Sequence, residues 1–154
     1  MAGTFSQIYI QVIFAVRNRN ALIQPSWEDE LYKYITGIVQ KKGQKMIAIN
    51  GVSNHIHLLI GMKPNCCLSD LIREVKKSSN IFIKENRFTQ YKFQWQEGFG
   101  AFSYNQSVLD NVVKYIHKQK ERHKKKSFKE EYINFLEKFV IDFKNEYLFD
   151  WIDE

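Results

Sequence analysis

The chain has 154 residues, 44% of them hydrophobic and 15% aromatic, which fits one globular domain with a real core and excludes a disordered or fibrous protein. No stretch approaches the roughly 20 apolar residues of a membrane helix, and the opening MAGTFSQIYIQVIF lacks a basic leader and reads as a strand rather than a secretion signal. Net charge is +6 but uneven: residues 114–129 hold eight Lys or Arg against one acid, and residues 130–154 hold eight acids against two lysines. Such a stripe suits a polyanion such as nucleic acid, or equally a solvated helix face neutralised by the tail. The two cysteines, Cys66 and Cys67, are neighbours, a spacing unsuited to an ordinary structural disulfide, so a reducing, cytoplasmic setting is the default expectation.

In chain order, residues 4–16 (TFSQIYIQVIFAV) are β-branched and aromatic with partial alternation, and predict a strand. Ser26 predicts the cap of a helix running to Lys41, with acids 28–30 in its first turn and Leu31, Tyr34, Ile35 and Ile38 at helical spacing. Residues 45–51 and 53–61 predict two further strands, with Asn50-Gly51 as the hairpin signal between them. A second long helix is expected from Leu68 to about Asn86, then an aromatic, glycine-punctuated strand over 92–104. Residues 105–123 predict one continuous helix packed through Leu109, Val112, Val113 and Ile116. Ser127 and Glu130 match a capping box that opens a short helix over 127–139, and the acidic, aromatic tail has no clear period.

The order β-α-β-β-α-β is that of an α+β, ferredoxin-like (split βαβ) sandwich. It implies a single domain: a core over 1–104, a helix over 105–123, and a C-terminal helix and acidic tail over 127–154. In this layout two helices cover one sheet face, and the other is expected to stay free for a ligand or partner.

Within SNHIHLLI, alternation sends Ile56, Leu58 and Ile60 to one face and His55, His57 and Leu59 to the other. Two imidazoles on one face lie close enough to bind one ion, although such a pair by itself reads as well as half-exposed structural histidines. Tyr115 and Gln119, four residues apart, share a helical face. A phenol is a poor nucleophile near neutral pH but becomes useful in line with a phosphate whose charge a cation has neutralised. The plain alternative is that Tyr115 packs and Gln119 is solvated.

Taken together, the His-Ile-His strand, the Trp-Gln-x-Gly stretch, the Tyr-Ile-x-x-Gln helix, HKKKSFKEEYINFLEKF and the terminal NEYLFDW resemble, in order and over nearly the whole chain, the single-tyrosine HUH transposases of the smallest bacterial insertion sequences and their REP-associated relatives. The resemblance implies a divalent ion, Mg²⁺ or Mn²⁺, held by His55, His57 and Gln119. It implies Tyr115 as the nucleophile that attacks single-stranded DNA, giving a 5′-phosphotyrosine and a free 3′-hydroxyl, with a second strand reversing the step. It further implies a homodimer, in which one tyrosine helix often completes the partner's site, and recognition of DNA hairpins without a nucleotide cofactor or a membrane. Candidate phosphate contacts are Arg17, Arg19, Lys76, Lys77, Lys118, Lys120, Arg122, Lys124, Lys125 and Lys126, although for any single one of them solvated surface is the plainer reading. Asn54 and Gln11 depart from the family pattern, which commonly has aspartate and often histidine there. His117 is expected to point away from the site and His123 to neighbour phosphate in the stripe. Trp27, Trp95 and Trp151 are expected to pack, and the cysteines receive no role. Two other readings stay open: a catalytically silent single-strand binder of the same fold, and a phosphodiesterase whose histidines activate water.

Overall fold

The structure, a computed structural model, describes residues 3–152. Strand β1 spans Tyr9–Ala15, helix α1 Glu28–Lys41, β2 Lys45–Val52, β3 His55–Gly61, α2 Leu68–Glu85 and β4 Gly100–Tyr104. The four strands form one antiparallel sheet in the order β2-β3-β1-β4, the ferredoxin-like arrangement expected from the element order. Beyond β4, the long helix expected over 105–123 divides into α3, Leu109–His117, and α4, Gln119–Arg122, and α5 spans Phe128–Lys138.

Alternation along β1 and β3 builds two cores. Val12 lies opposite Leu58 and Phe14 opposite Ile56, and this face packs under α1 and α2 with Leu31, Ile35, Leu71 and Val75. Ile13 lies opposite His57, Gln11 opposite Leu59 and Phe102, on the other face. That second face is not free. Leu59 and Ala48 bury against Val112 and Ile116 of α3, and Phe102 against Phe135 of α5. Val12, Ile13 and Phe14 are all fully buried as a result, because a central strand covered on both sides needs apolar residues in succession. The face expected to stay free is thus covered, since strand alternation reports which residues share a face, not what later segment lands on it.

Three local expectations change. Trp27, not Ser26, occupies the N-cap of α1, and no side chain caps it. The β2-β3 turn is Ser53-Asn54, since Val52 pairs with His55, so Asn50 and Gly51 lie inside the ladder. Gly51 is needed there for a close approach: a Cβ would meet the His55 carbonyl oxygen at 2.3 Å and the Ile56 Cα at 2.8 Å. Asn50 instead donates from Nδ2 to the carbonyls of Ile116 and His117 at 2.9 and 3.2 Å. Satisfying those two acceptors from a neighbouring strand lets the helix stop at Lys118, where the backbone departs from helical geometry at φ −97° and ψ 14°.

The tail docks. Phe149 and Trp151 pack on Phe128 and Tyr132, and the Gln96 amide exchanges two hydrogen bonds with the Asp150 backbone, at 2.7 and 2.8 Å. Among the described residues no helix is long and apolar enough to cross a membrane.

Candidate active site

The site lies on the second sheet face, roofed by α3, α4 and α5. His55 and His57 point there from β3, both fully buried, with ring centroids 5.1 Å apart. Tyr115 reaches in from the last turns of α3, and Gln119, the first residue of α4, turns inward across the helix break and is fully buried. The residue they share is Glu131 of α5. Its Oε1 lies 3.2 Å from Nε2 of His55, 3.2 Å from Nε2 of His57 and 2.9 Å from Nε2 of His123. Its Oε2 accepts hydrogen bonds from the Tyr115 hydroxyl and, at 2.8 Å, from Gln119 Nε2.

Glu131 was not anticipated, although a signal for it exists. Phe128, Glu131, Tyr132, Phe135 and Leu136 recur at helical spacing and all are buried, so Glu131 is a carboxylate set into an apolar stripe. Ser127 caps that helix as expected, accepting from the Glu130 amide at 3.2 Å, and so fixes which face turns inward. His123 is also relocated. It packs edge-on to His55 at 4.7 Å and holds Glu131, so it is an interior partner of the site rather than a phosphate neighbour. His117, by contrast, is exposed and away from the cluster.

The two departures from the family pattern turn out to face the rings of His55 and His57. Asn54 Nδ2 donates to the Ile152 carbonyl at 2.8 Å, which leaves its Oδ1 to accept from His55 Nδ1 at 2.7 Å. That bond puts the His55 proton on Nδ1 and the lone pair on Nε2. Gln11 sits 2.8 Å from His57 Nδ1 and 2.8 Å from the Tyr104 hydroxyl, so a Tyr104–Gln11–His57 chain orients the second ring. Phe128 stacks flat on His55 with centroids 3.7 Å apart, fixing the first ring from its face.

Electrostatics follow from burial. Desolvation pushes the His55 imidazole down from 6.5 to about 4, so it stays neutral near pH 7 with its lone pair available. For Glu131 burial alone would raise the carboxyl, but the imidazoles around it, His57 first and then His123, outweigh that and hold the acid well below the usual carboxylate range. Tyr115 is pushed up, first by burial and then by the Glu131 charge, with the Arg122 guanidinium opposing from 4.1 Å over the ring.

These donors fit a divalent cation. His55, His57 and Glu131 can each turn one ligand atom into a space in which those atoms lie within 4.8 Å of one another. Gln119 Oε1 lies 3.2 Å from the His55 Nε2 lone pair. Lone pairs of a neutral imidazole, an amide oxygen and a carboxylate repel when they face each other in a dry interior, and a cation among them removes that repulsion.

Beside Tyr115 opens a cavity of about 620 Å³ lined by Gln11, Tyr104, Arg122, Glu131 and Phe139 among others. Of the candidate phosphate contacts, Arg122 and Lys126 line it. Lys120 is engaged elsewhere, donating to Asn50 Oδ1 and the Gly51 carbonyl and pairing with Glu28 at 3.2 Å. Lys76 spends its ammonium on the carbonyls of Gln96 and Gly98 at 2.9 and 2.6 Å, and burial lowers it to about 8. Arg17, Arg19, Lys77, Lys118, Lys124 and Lys125 are exposed.

The chain, with its ferredoxin-like sheet and the histidine pair facing Tyr115 of α3 and Gln119 of α4, matches a family of the transposase class. It belongs to the IS200-like transposase family, which it matches over residues 4–119. That match ends before Glu131, so the carboxylate lies outside the matched segment. No curated protein matches the chain. Two solved structures share the fold. One is a candidate transposase from Deinococcus radiodurans R1, at 17% identity and TM-score 0.62 over 77% of this chain and 95% of that one. The other is a REP-associated tyrosine transposase bound to a REP hairpin, at 17% identity and TM-score 0.58 over 80% of this chain and 74% of that one.

Proposed function

We propose that this transposase cleaves and rejoins single-stranded DNA at hairpin-marked ends through Tyr115, with a divalent ion held by His55, His57, Gln119 and Glu131. The observation that supports this best is the convergence of the tyrosine, the glutamine and both histidines on one buried carboxylate. In the reaction the Tyr115 oxygen bonds to phosphorus as the bond to the 3′-oxygen breaks. The product is a 5′-phosphotyrosine and a 3′-hydroxyl. Glu131 Oε2 already accepts the phenol's hydrogen bond and is placed to take its proton and pass it to the departing oxygen. When bound, the ion supplies charge neutralisation at the scissile phosphate. Two imidazoles with one carboxylate and one amide oxygen suit Mn²⁺ better than an all-oxygen Mg²⁺ site would require. Gln119 also anchors Glu131, and Arg122, stacked on the nucleophile's ring, steers phosphate toward it. The exchange conserves phosphodiester bonds, so no nucleotide cofactor is required. A homodimer in a cytoplasmic setting belongs to this reading by family resemblance. Within one chain the Tyr115 hydroxyl donates to Glu131, and a tyrosine helix contributed by a second subunit would meet the same carboxylate.

The test is a hairpin-bearing single-stranded oligonucleotide with Mn²⁺ or Mg²⁺. Wild-type protein is expected to form a covalent adduct that EDTA prevents, and Tyr115→Phe to form none. An adduct with Tyr115→Phe would refute the assignment of the nucleophile. A free 5′-phosphate without an adduct would indicate water activation by the histidines instead. Tight binding that ignores both EDTA and His57→Ala would mark a silent binder.

A further inference from the structure

We propose that the cavity beside Tyr115 is a nucleobase pocket, which takes the unstacked base of a nucleotide flanking the scissile phosphate. This rests on the strand-cleavage reading above. The cavity, about 620 Å³, is of the size that holds small organic ligands and is larger than a phosphate group needs. Its chemistry is divided. One wall is aromatic, Tyr104, Phe135 and Phe139, with Phe139 edge-on to Tyr104 at 5.6 Å. Asn111 and Asn134 line it as well, and both are exposed, with no side-chain hydrogen bond among the described residues. A carboxamide both donates and accepts, which is what the edge of a base offers in return, whereas a phosphate needs donors only. Lys126, Lys138 and Arg122 also line it, three cations against the one carboxylate of Glu131, and among the described residues Arg122 carries a buried Nε without a partner. Cations at the rim of an aromatic cleft match a single strand, whose base stacks inside while its phosphodiesters run along the edge. A free phosphate or a purely apolar ligand would leave either the aromatic wall or the cationic rim unused. The pocket also opens at the Tyr115 side chain, so a strand seated in it brings an adjacent phosphodiester to the hydroxyl.

Binding rather than cleavage reads this pocket, which keeps its failure separate from failure of the chemistry. Fluorescence anisotropy would measure a labelled oligonucleotide carrying an abasic site at each nucleotide flanking the scissile bond in turn, with wild type, Asn134→Ala and Phe139→Leu. Removing one flanking base is expected to weaken binding by wild type about tenfold, within the range for a stacked base. The same removal should cost Phe139→Leu less than threefold, and Asn134→Ala should narrow the preference among the four bases at that position. Phe139→Leu keeps the apolar volume, and thermal denaturation checks that it folds. No loss from either abasic site, or an equal loss in wild type and Phe139→Leu, would overturn the pocket even if the Tyr115 adduct forms normally. A missing adduct with the abasic penalty intact would instead overturn the cleavage reading and leave the pocket standing.

Discussion

Gln11 shows how much of the site depends on residues that act on a histidine ring rather than on an ion directly. Its amide lies between the Tyr104 hydroxyl and His57 Nδ1, 2.8 Å from each. In the structure Gln11 Nε2 faces His57 Nδ1 and its Oε1 accepts from the Tyr104 hydroxyl; for His57 to ligate through Nε2 with its proton on Nδ1, the carboxamide turns to present its oxygen to the ring. Tyr104 permits that orientation because a hydroxyl can accept as readily as it donates. Removing such an outer partner usually costs tenfold to a hundredfold in metal affinity. Gln11→Ala is therefore expected to weaken Mn²⁺ binding by about tenfold in calorimetry, while Gln11→His, which can also accept from Nδ1, should recover most of the loss. Equal affinity in Gln11→Ala and wild type would dissociate this chain from the metal site. His55 needs no such adjustment, since Asn54 is tied to the Ile152 carbonyl and presents only its oxygen. The tail thus reaches the first ring through one side chain.

At the level of elements, the helix ends show what the packing demands. Helices α1, α2 and α5 all finish with paired C-terminal hydrogen bonds, from Gln44 to Val39 and Gly43 to Gln40, from Phe88 to Ile83 and Arg87 to Lys84, and from Ile141 to Leu136 and Val140 to Glu137. Each requires a left-handed residue just past the cap. Only α1 has glycine there, Gly43 at φ 80°, while α2 uses Arg87 at 53° and α5 uses Val140 at 55°. A β-branched side chain in that region is strained by roughly 1–3 kcal/mol. Val140 is 88% exposed, so its side chain recovers almost nothing by packing. Val140→Gly should accordingly stabilise the fold by about 1 kcal/mol, read as a rise of roughly 2–4 °C in thermal denaturation. Arg87→Gly should gain less, because arginine is not β-branched. A fall in melting temperature for Val140→Gly would show that Val140 makes a contact that outweighs the strain.

For the molecule as a whole, the second core is built around ionisable groups, and this sets its response to pH. His55 keeps its neutral form down to about 4 when folded, against 6.5 in the free side chain. Between those values the unfolded chain binds a proton that the folded one refuses, so stability falls as pH drops through that window. Glu131, held below its ordinary range, acts in the same direction, since protonating it is also easier in the unfolded chain. The metal-free protein is expected to lose on the order of 3 kcal/mol between pH 6.5 and 4 through His55. Thermal or urea denaturation across that range measures it, with His55→Phe, which stacks but cannot titrate, expected to flatten the slope. An unchanged slope in His55→Phe would assign the acid sensitivity elsewhere. Charge is also organised differently from the simple balance of stripe and tail. Among the described residues the ion pair from the stripe goes to Glu28 of α1, through Lys120, and Glu131 of the acidic segment is consumed by the site.

The sequence by itself determined the element order, the ferredoxin-like sheet and the division of β3 into a core side and a histidine side, because strand period and hydrophobic spacing are local properties of the chain. It also pointed to His55, His57, Tyr115 and Gln119, through the resemblance that their motifs, taken in order along the chain, bear to a known family; their spacing alone read equally as packing and surface. Only the tertiary structure decided that the histidine face is roofed, that the tyrosine helix breaks at Lys118, and that Asn50 ends it rather than turning a hairpin. Glu131 and His123 likewise entered the site only on folding, since a carboxylate in an apolar stripe marks a buried position but not the partners it will meet there. The physical reason is sequence distance: Glu131 lies 74 residues from His57, and a contact across such a loop is fixed by how α5 packs on the sheet, not by anything within reach of either residue along the chain.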